Sequence, residues 1–385
     1  MDLSHTFHLT TRYVEVHTPT KALFLLTKFG EFAVRSAGIP KPGRGELLIK
    51  NEAVALNPID WKMQTWGLVI QHYPAIIGLD TAGTVEAVGE GVTEFQKGDR
   101  VMGFGALNAR QSTFQQYSIT SVQSSAKVPQ SVSLEQAASL PVGICTATVG
   151  LYQTNEYGAG LMAPWEQGGQ GKYSGKPFIV LGGASCNGAY VIQLAKLSGF
   201  SPIITTASPH NTTYLESLGA THVLDRHLDT AALKSEVARI TQLPVKVIYD
   251  TVSEQDTQKL GYELLAENGT LVLVLPSTLE DDRVKSAEEN ALRHNEIYLS
   301  QGPGITHASG KTVKTTSSSP FVPGNENILS GLYANLPNYL DTGAIQAVRV
   351  EILPGGLEGN AGGLDRMRNG RVSGTKLVVR PQDTA

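Results

Sequence analysis

Cysteine is scarce in this chain: Cys145 and Cys186 are the only two among 385 residues. Two thiols build neither a disulfide framework nor a four-cysteine structural zinc site. A basic surplus is missing too. With 31 Lys and Arg against 35 Asp and Glu, the formal charge is −4, the wrong sign for gripping a nucleic-acid backbone. No apolar run approaches the roughly 18 residues of a membrane span, and the first twenty residues lack a signal-peptide pattern. These absences lead us to expect a cytoplasmic protein that binds neither nucleic acid nor membrane. Internal repeats are absent as well.

What is present is ordinary globular composition, 41% hydrophobic and 17% charged, on a chain long enough for two domains. Residues 1–20 read as an extension. From Lys21 to Gly143 the pattern is β-like with little helix: "KALFLLTKFGEFAVRSAG" reads as two strands, "GELLIKNEAVALNP" alternates, and "GLDTAGTVEAVGEGVTEFQKGDRVMGF" is strand and glycine turn, as in a small barrel. "SLEQAASLPVGICTATVGLY" then reads as a helix capped by Ser133. Beyond "EQGGQGKYSGKP", short apolar strands alternate with amphipathic helices through "TLVLVLP". That alternation predicts a parallel sheet covered on both faces. Residues 302–324 form a polar stretch longer than compact loops usually are, readable as a lid, a disordered insertion or a gene-prediction artefact. "NILSGLYANLPNYLDTG" and "LEGNAGGLDRMRNG" read as helices, "AIQAVRVEILP" and "TKLVVR" as strands.

The most informative stretch is "FIVLGGASCNGAYVIQLAKLSG", a strand running through a glycine turn into a helix. A helix N-terminus offers unpaired N–H groups and a positive dipole end, and so binds phosphate. Gly182 and Gly183 allow a tight turn, Gly188 allows close approach, and Ser185 and Asn187 add side-chain donors around Ala184 and Cys186. The spacing is G-G-x-S-x-x-G, and its place between strand and helix makes it a dinucleotide signature. An NAD site would carry an acid at the end of the next strand. Here that strand ends in "TTASPHN", where Ser208, His210 and Asn211 suit a 2′-phosphate instead, so NADP(H) is the expected cofactor. The same residues also read as a cap on the following helix.

The order β-rich part, nucleotide domain, return segment resembles the medium-chain dehydrogenase/reductase superfamily. The residues that carry the resemblance are "NPIDWKM", "GLDTAGTVEAVG", "KGDRVMGF", "AASLPVGICTA" and "VSGTKLVVR"; "LSGFSPIITTASPHN" is similar to its fungal zinc-independent branch, with trans-acting enoyl reductases and related biosynthetic dehydrogenases. The resemblance implies an α/β chain with a GroES-like β-rich catalytic domain at 21–143 and 325–385, and a Rossmann doubly wound cofactor domain at 144–324. Catalytic zinc in the superfamily needs two cysteines and a Gly-His-Glu histidine. Those places read "NPID", Gly78-Leu79-Asp80 and Val142, so no metal is expected. The resemblance further implies Lys62 and Thr146 as catalytic residues, Asp60 as a ribose or lysine partner, and cofactor contacts at Leu275, Pro276, Val372 and Ser373. Gly188, and Arg226 after Asp225, depart from the similar enoyl reductases; Arg226 adds a candidate phosphate contact.

The implied activity is NADPH-dependent, zinc-free hydride transfer to an activated C=C or C=O in fungal secondary metabolism. A quinone reductase, an alcohol dehydrogenase and a silent nucleotide binder are the rival readings. The substrate is either a free small molecule or an acyl chain on a carrier protein, and monomer and homodimer both stay open.

Overall fold

The computed structural model describes residues 20–154, 158–279, 305–306 and 310–385. The expected extension lies outside them but for Thr20, as does part of the 302–324 stretch.

The first strands are β1 (Thr20–Leu25), β2 (Phe32–Ala37) and β3 (Glu46–Ala55). β1 and β2, the two strands read in "KALFLLTKFGEFAVRSAG", pair antiparallel. A helix then interrupts a region expected to be almost helix-free: α1 (Pro58–Thr65). It has no apolar periodicity, which is why pattern reading passes over it. Its start is nonetheless written locally, with Pro58 in the first turn and Asn57 and Asp60 forming a capping box. After α1 come β4 (Ala75–Ile76), β5 (Asp80–Val88), β6 (Arg100–Phe104), β7 (Tyr117–Ser121) and β8 (Ser125–Lys127). The single helix expected over "SLEQAASLPVGICTATVGLY" is two, α2 (Leu134–Ala138) and α3 (Pro141–Tyr152). Pro141 supplies no N–H and restarts the helix at its own first turn. Ser133 does cap α2, accepting from the Gln136 amide at 3.2 Å.

The alternating half follows as β9 (Phe178–Leu181), α4 (Cys186–Leu197), β10 (Ile203–Ala207), α5 (Thr212–Leu218), β11 (His222–Asp225), α6 (Thr230–Ile240), β12 (Val247–Asp250), α7 (Gln255–Leu264), β13 (Thr270–Leu273), β14 (Ile305–Thr306) and β15 (Thr312–Thr315). Among the described residues its seven strands run in the order β11-β10-β9-β12-β13-β15-β14, all parallel except β14 on β15. All four residues of β9 are buried, Phe178 and Val180 in one apolar cluster, Ile179 and Leu181 in the other. That is why its sequence is an unbroken apolar run rather than an alternation. β15 corrects the reading of 302–324 as a loop throughout. It carries one buried apolar residue, Val313, amid threonines and a lysine, so it lacks the strand signature of its neighbours.

The chain closes with α8 (Glu326–Asp341), β16 (Val350–Ile352), α9 (Gly359–Arg368) and β17 (Lys376–Val379). β16 and β17 return to the first half, β17 pairing with β3 in the order β16-β17-β3-β5-β6-β8. Lys376, the first residue of β17, is thereby carried to the foot of α1.

Candidate functional site

The glycine turn sits where the parallel sheet reverses its order, between β9 and β12, the place where open α/β sheets bind ligands. Gly182 has φ +82°, and a Cβ there would stand 2.6 Å from Val252 Cγ2. A Cβ on Gly183 would meet Thr205 Oγ1 at 2.2 Å, and one on Gly188 the Gly182 carbonyl at 2.5 Å. α4 therefore begins directly against the strand end, at a distance only glycine permits. Ser185 caps it, accepting from the Gly188 amide at 2.9 Å and donating to Thr251 Oγ1 at 2.9 Å. Asn187 Nδ2 donates to the Gly143 carbonyl at 3.0 Å, tying the turn to α3. The other first-turn amides of α4 have no carbonyl within the helix to bond. A rigid cradle of such amides, which any Cβ would fill, fits a dinucleotide diphosphate.

This turn opens on a cavity of about 1090 Å³. Ala184, Ser185, Cys186 and Asn187 line it, and so do Lys62 and Thr146. Leu275, Pro276 and Val372 complete the expected wall. Trp66, Ile70 and Leu107 make an apolar arm. The remaining candidates lie elsewhere. Gly182, Gly183 and Gly188 shape the turn from behind. Asn211 Nδ2 is 3.1 Å from both Ser373 Oγ and His210 Nε2, so Ser373 joins the cluster past β10 rather than the cavity. Ser208 opens the 3₁₀ turn Pro209–Asn211 without a side-chain cap bond. The Arg226 amide donates to the Ala207 carbonyl at 3.0 Å, which sets its main chain beside the same strand end, and its side chain is exposed.

Asp60 is fully buried and does not line the cavity. One oxygen accepts from the Asn57 amide at 2.7 Å, while Oδ1 has no hydrogen-bond partner. Burial, aided by Asp80, outweighs the Asn57 amide and Lys376 and raises its pKa to about 7. Beside it, Asp80 accepts from Asn57 Nδ2 at 2.8 Å and from the Val142 amide at 2.7 Å, and pairs with Lys376 Nζ at 3.0 Å. Burial works against the Lys376 ammonium, but Asp80 prevails and its pKa rises. Lys376 also donates to Asn57 Oδ1 at 2.5 Å. Asn57 and Asp80 are thus both bonded to one buried side-chain cation, and the same Asp80 accepts from the Val142 amide. Among the described residues, no three His, Cys, Asp or Glu side chains group as metal ligands.

Lys62 is buried, on the cavity wall, rather than a solvated surface lysine. Thr146 Oγ1 donates to the Val142 carbonyl at 2.6 Å, so it both bonds its own helix and faces the cavity. Cys145 is buried against the Tyr333 hydroxyl at 3.4 Å, and burial pushes its thiol up to about 12. Cys186 is raised by burial as well, so neither thiol is activated as a nucleophile. Sequence reading missed Thr315, Thr316, Ser317, Ser318 and Ser319, which line the cavity at the end of β15. The hydroxyl run after a four-residue T-V-K-T strand was the available signal.

No helix among the described residues is long and apolar enough to cross a membrane. The alcohol dehydrogenase GroES-like domain family matches residues 43–134, and the zinc-binding dehydrogenase family matches residues 188–294. A trans-enoyl reductase of Aspergillus sclerotiorum is 31% identical, over 90% of this chain and 96% of its own. A trans-enoyl reductase of a Penicillium species is 29% identical, over 94% of this chain and 98% of its own. Among solved structures, a mycobacterial protein complexed with NADPH matches at TM-score 0.69 and 25% identity, over 94% of this chain and 100% of that one. The chain belongs to the medium-chain dehydrogenase/reductase superfamily, as an oxidoreductase with fungal trans-enoyl reductases among its relatives.

Proposed function

We propose that this protein is an NADPH-dependent, zinc-free reductase of an activated carbon–carbon double bond, in an enoyl thioester or enone. The observation that carries the reading is the one cavity onto which the glycine turn, Lys62 and Thr146 all open. The names of the relatives support the double bond, and the NADPH complex of the structural neighbour supports the cofactor. NADPH supplies the hydride when bound. The first-turn amides of α4 hold its diphosphate, Leu275, Pro276 and Val372 wall its path, and Ser208, His210, Asn211 and Arg226 take the 2′-phosphate.

The Lys62 ammonium donates to the substrate carbonyl oxygen, where negative charge builds as the double bond is reduced. Thr146 has committed its proton to Val142, so its lone pairs accept from the ligand and orient it. The apolar arm at Trp66, Ile70 and Leu107 holds the chain and keeps water out. The Lys376 ammonium between Asn57 and Asp80 repels a second cation there, which supports zinc-free chemistry. The reading puts the protein in the cytoplasm, in fungal secondary metabolism, with a free or carrier-bound acyl substrate.

The test is a panel of enoyl thioesters, enones, quinones and alcohols, with each nicotinamide, with and without chelator. The expected result is NADPH-dependent reduction of the unsaturated acyl compounds, indifferent to chelator and lost in Lys62→Ala. Turnover of quinones or alcohols alone, or turnover that chelator abolishes, overturns the reading.

A further inference from the structure

We infer that Asn325, which does not itself line the cavity, is a positioning residue that holds the hydroxyl wall from Thr315 to Ser319 at the reacting end of the cofactor. The inference rests on the reading of the cavity as an NADPH site, which fixes the direction of the cofactor. The cluster proposed for the 2′-phosphate lies past β10, on one side of β9, while β12, β13 and β15 follow on the other. A dinucleotide that starts at that cluster and crosses the turn after β9 therefore carries its nicotinamide toward β13 and β15. Thr315 ends β15, three strand spacings or about 14 Å from β9. The hydroxyl wall thus stands beside the hydride-bearing ring and the bond it reduces, away from the adenosine half.

The wall has little apolar packing to hold it. From 314 to 328, Val322 is the only apolar residue that is buried. Asn325 supplies hydrogen bonds instead. It is 0% exposed, and its Nδ2 donates to the Ser319 carbonyl at 2.9 Å and to the Ser317 carbonyl at 3.4 Å. Two main-chain turns fold the segment back so that this reach is possible. The Val322 amide donates to the Ser319 carbonyl at 3.3 Å, and the Asn325 amide to the Val322 carbonyl at 3.1 Å.

The Asn325 side chain is itself fixed from the other direction. Its Oδ1 accepts from Gln153 Nε2 at 3.0 Å, and the same Nε2 donates to the Gly324 carbonyl. Gln153 directly follows α3, the helix that carries Thr146. The Asn325 carbonyl accepts from the Leu329 amide at 3.0 Å in the first turn of α8. One buried amide therefore ties the hydroxyl wall to the helix that bears Thr146 and to the helix that follows the wall. With both its donor and its acceptor committed, that amide has a single orientation. A shift of the wall by about 1 Å is enough to slow hydride transfer, because the reacting atoms must meet at about 3–3.5 Å.

The experiment uses the full chain with NADPH and the unsaturated acyl substrate it turns over best. Asn325→Asp keeps the size of the side chain and the acceptor for Gln153, but turns an oxygen rather than a donor toward two carbonyls. It is expected to lower kcat about tenfold. Its affinity for 2′-phospho-ADP-ribose, which has the diphosphate and 2′-phosphate but no nicotinamide ring, should match the parent's in calorimetric titration. Asn51→Asp is the control. Asn51 is equally buried, and its Nδ2 also donates to two main-chain carbonyls, those of Thr113 and Gln115; none of the three residues lines the cavity. That variant should lose stability and keep kcat. If Asn325→Asp does not fold, Gln153→Leu takes its place: it leaves Asn325 without its partner and should lower kcat about threefold. Parental kcat in the variant tested, an equal loss in Asn51→Asp, or a fragment affinity that falls along with kcat overturns the positioning role and leaves the NADPH reading standing. No binding of the fragment by the parent removes both.

Discussion

Lys376 Nζ stands 3.0 Å from Asp80 Oδ2, with the lysine side chain 4% exposed and the aspartate 0%. The pair joins the last strand of the chain to the start of β5, and it lies at the foot of the helix that carries Lys62. A buried pair of this kind adds little over an apolar substitute, but losing one partner leaves a charge stranded. Lys376→Met should therefore cost about 3–5 kcal/mol of unfolding free energy. The double replacement Lys376→Met with Asp80→Asn should recover part of that. Urea unfolding of the two variants measures the difference; a single replacement no worse than the double contradicts it.

Asp60 gives stability a pH dependence of definite sign. Its carboxyl titrates at 3.8 when unfolded and at about 7 when folded. Between those values the folded chain keeps a proton the unfolded chain has released, so stability falls as pH rises through the window. Asp60→Asn mimics the protonated form at every pH. The variant should gain on the parent from pH 4 to 7 and hold a constant offset above that. Asp250, raised to about 6 by burial, acts in both proteins and cancels.

The glycine turn is expected to be intolerant of a single methyl. A Cβ on Gly188 would stand 2.8 Å from Gly183 Cα and 2.5 Å from the Gly182 carbonyl, backbone that cannot step aside. Gly188→Ala should open the turn and weaken NADPH binding at least about tenfold, the scale of one charge-assisted hydrogen bond lost. Fluorescence titration of the reduced nucleotide measures it, with the unfolding midpoint as a check on the fold.

Cofactor choice should rest on Arg226. Its main chain is bonded to the end of β10, which offers no acid from Ser208 to Asn211, and its side chain is exposed. Arg226→Ala should weaken NADPH about tenfold while leaving NADH alone, because only NADPH has the 2′-phosphate. Equal effects on both nucleotides would assign the arginine to the surface.

The nucleotide sheet was legible because burial on both faces forces apolar runs such as "FIVL", and the turn after it because three glycines are sterically required. The end of the same sheet was not. β15 is a polar strand beside β13, and the hydroxyl run from Thr315 to Ser319 at its end reaches the cavity through tertiary packing alone. α1 was hidden for a different reason: at eight residues it is too short for periodicity, although Asn57, Pro58 and Asp60 mark its start. Lys62 was found through the resemblance. Its place against the Trp61 and Trp66 rings, with Nζ 5.6 and 4.8 Å from their centroids, depends on ring orientations, which residue spacing does not encode. The Asp80–Lys376 pair joins positions 296 residues apart in the sequence, and no local pattern announces it.

The most direct measurement is the decay of reduced-nicotinamide absorbance when the purified protein meets NADPH and an α,β-unsaturated acyl thioester in excess chelator. The expected result is steady decay, much slower with NADH, and none in Lys62→Ala. No saturable NADPH binding, or decay that stops when chelator is added, contradicts it.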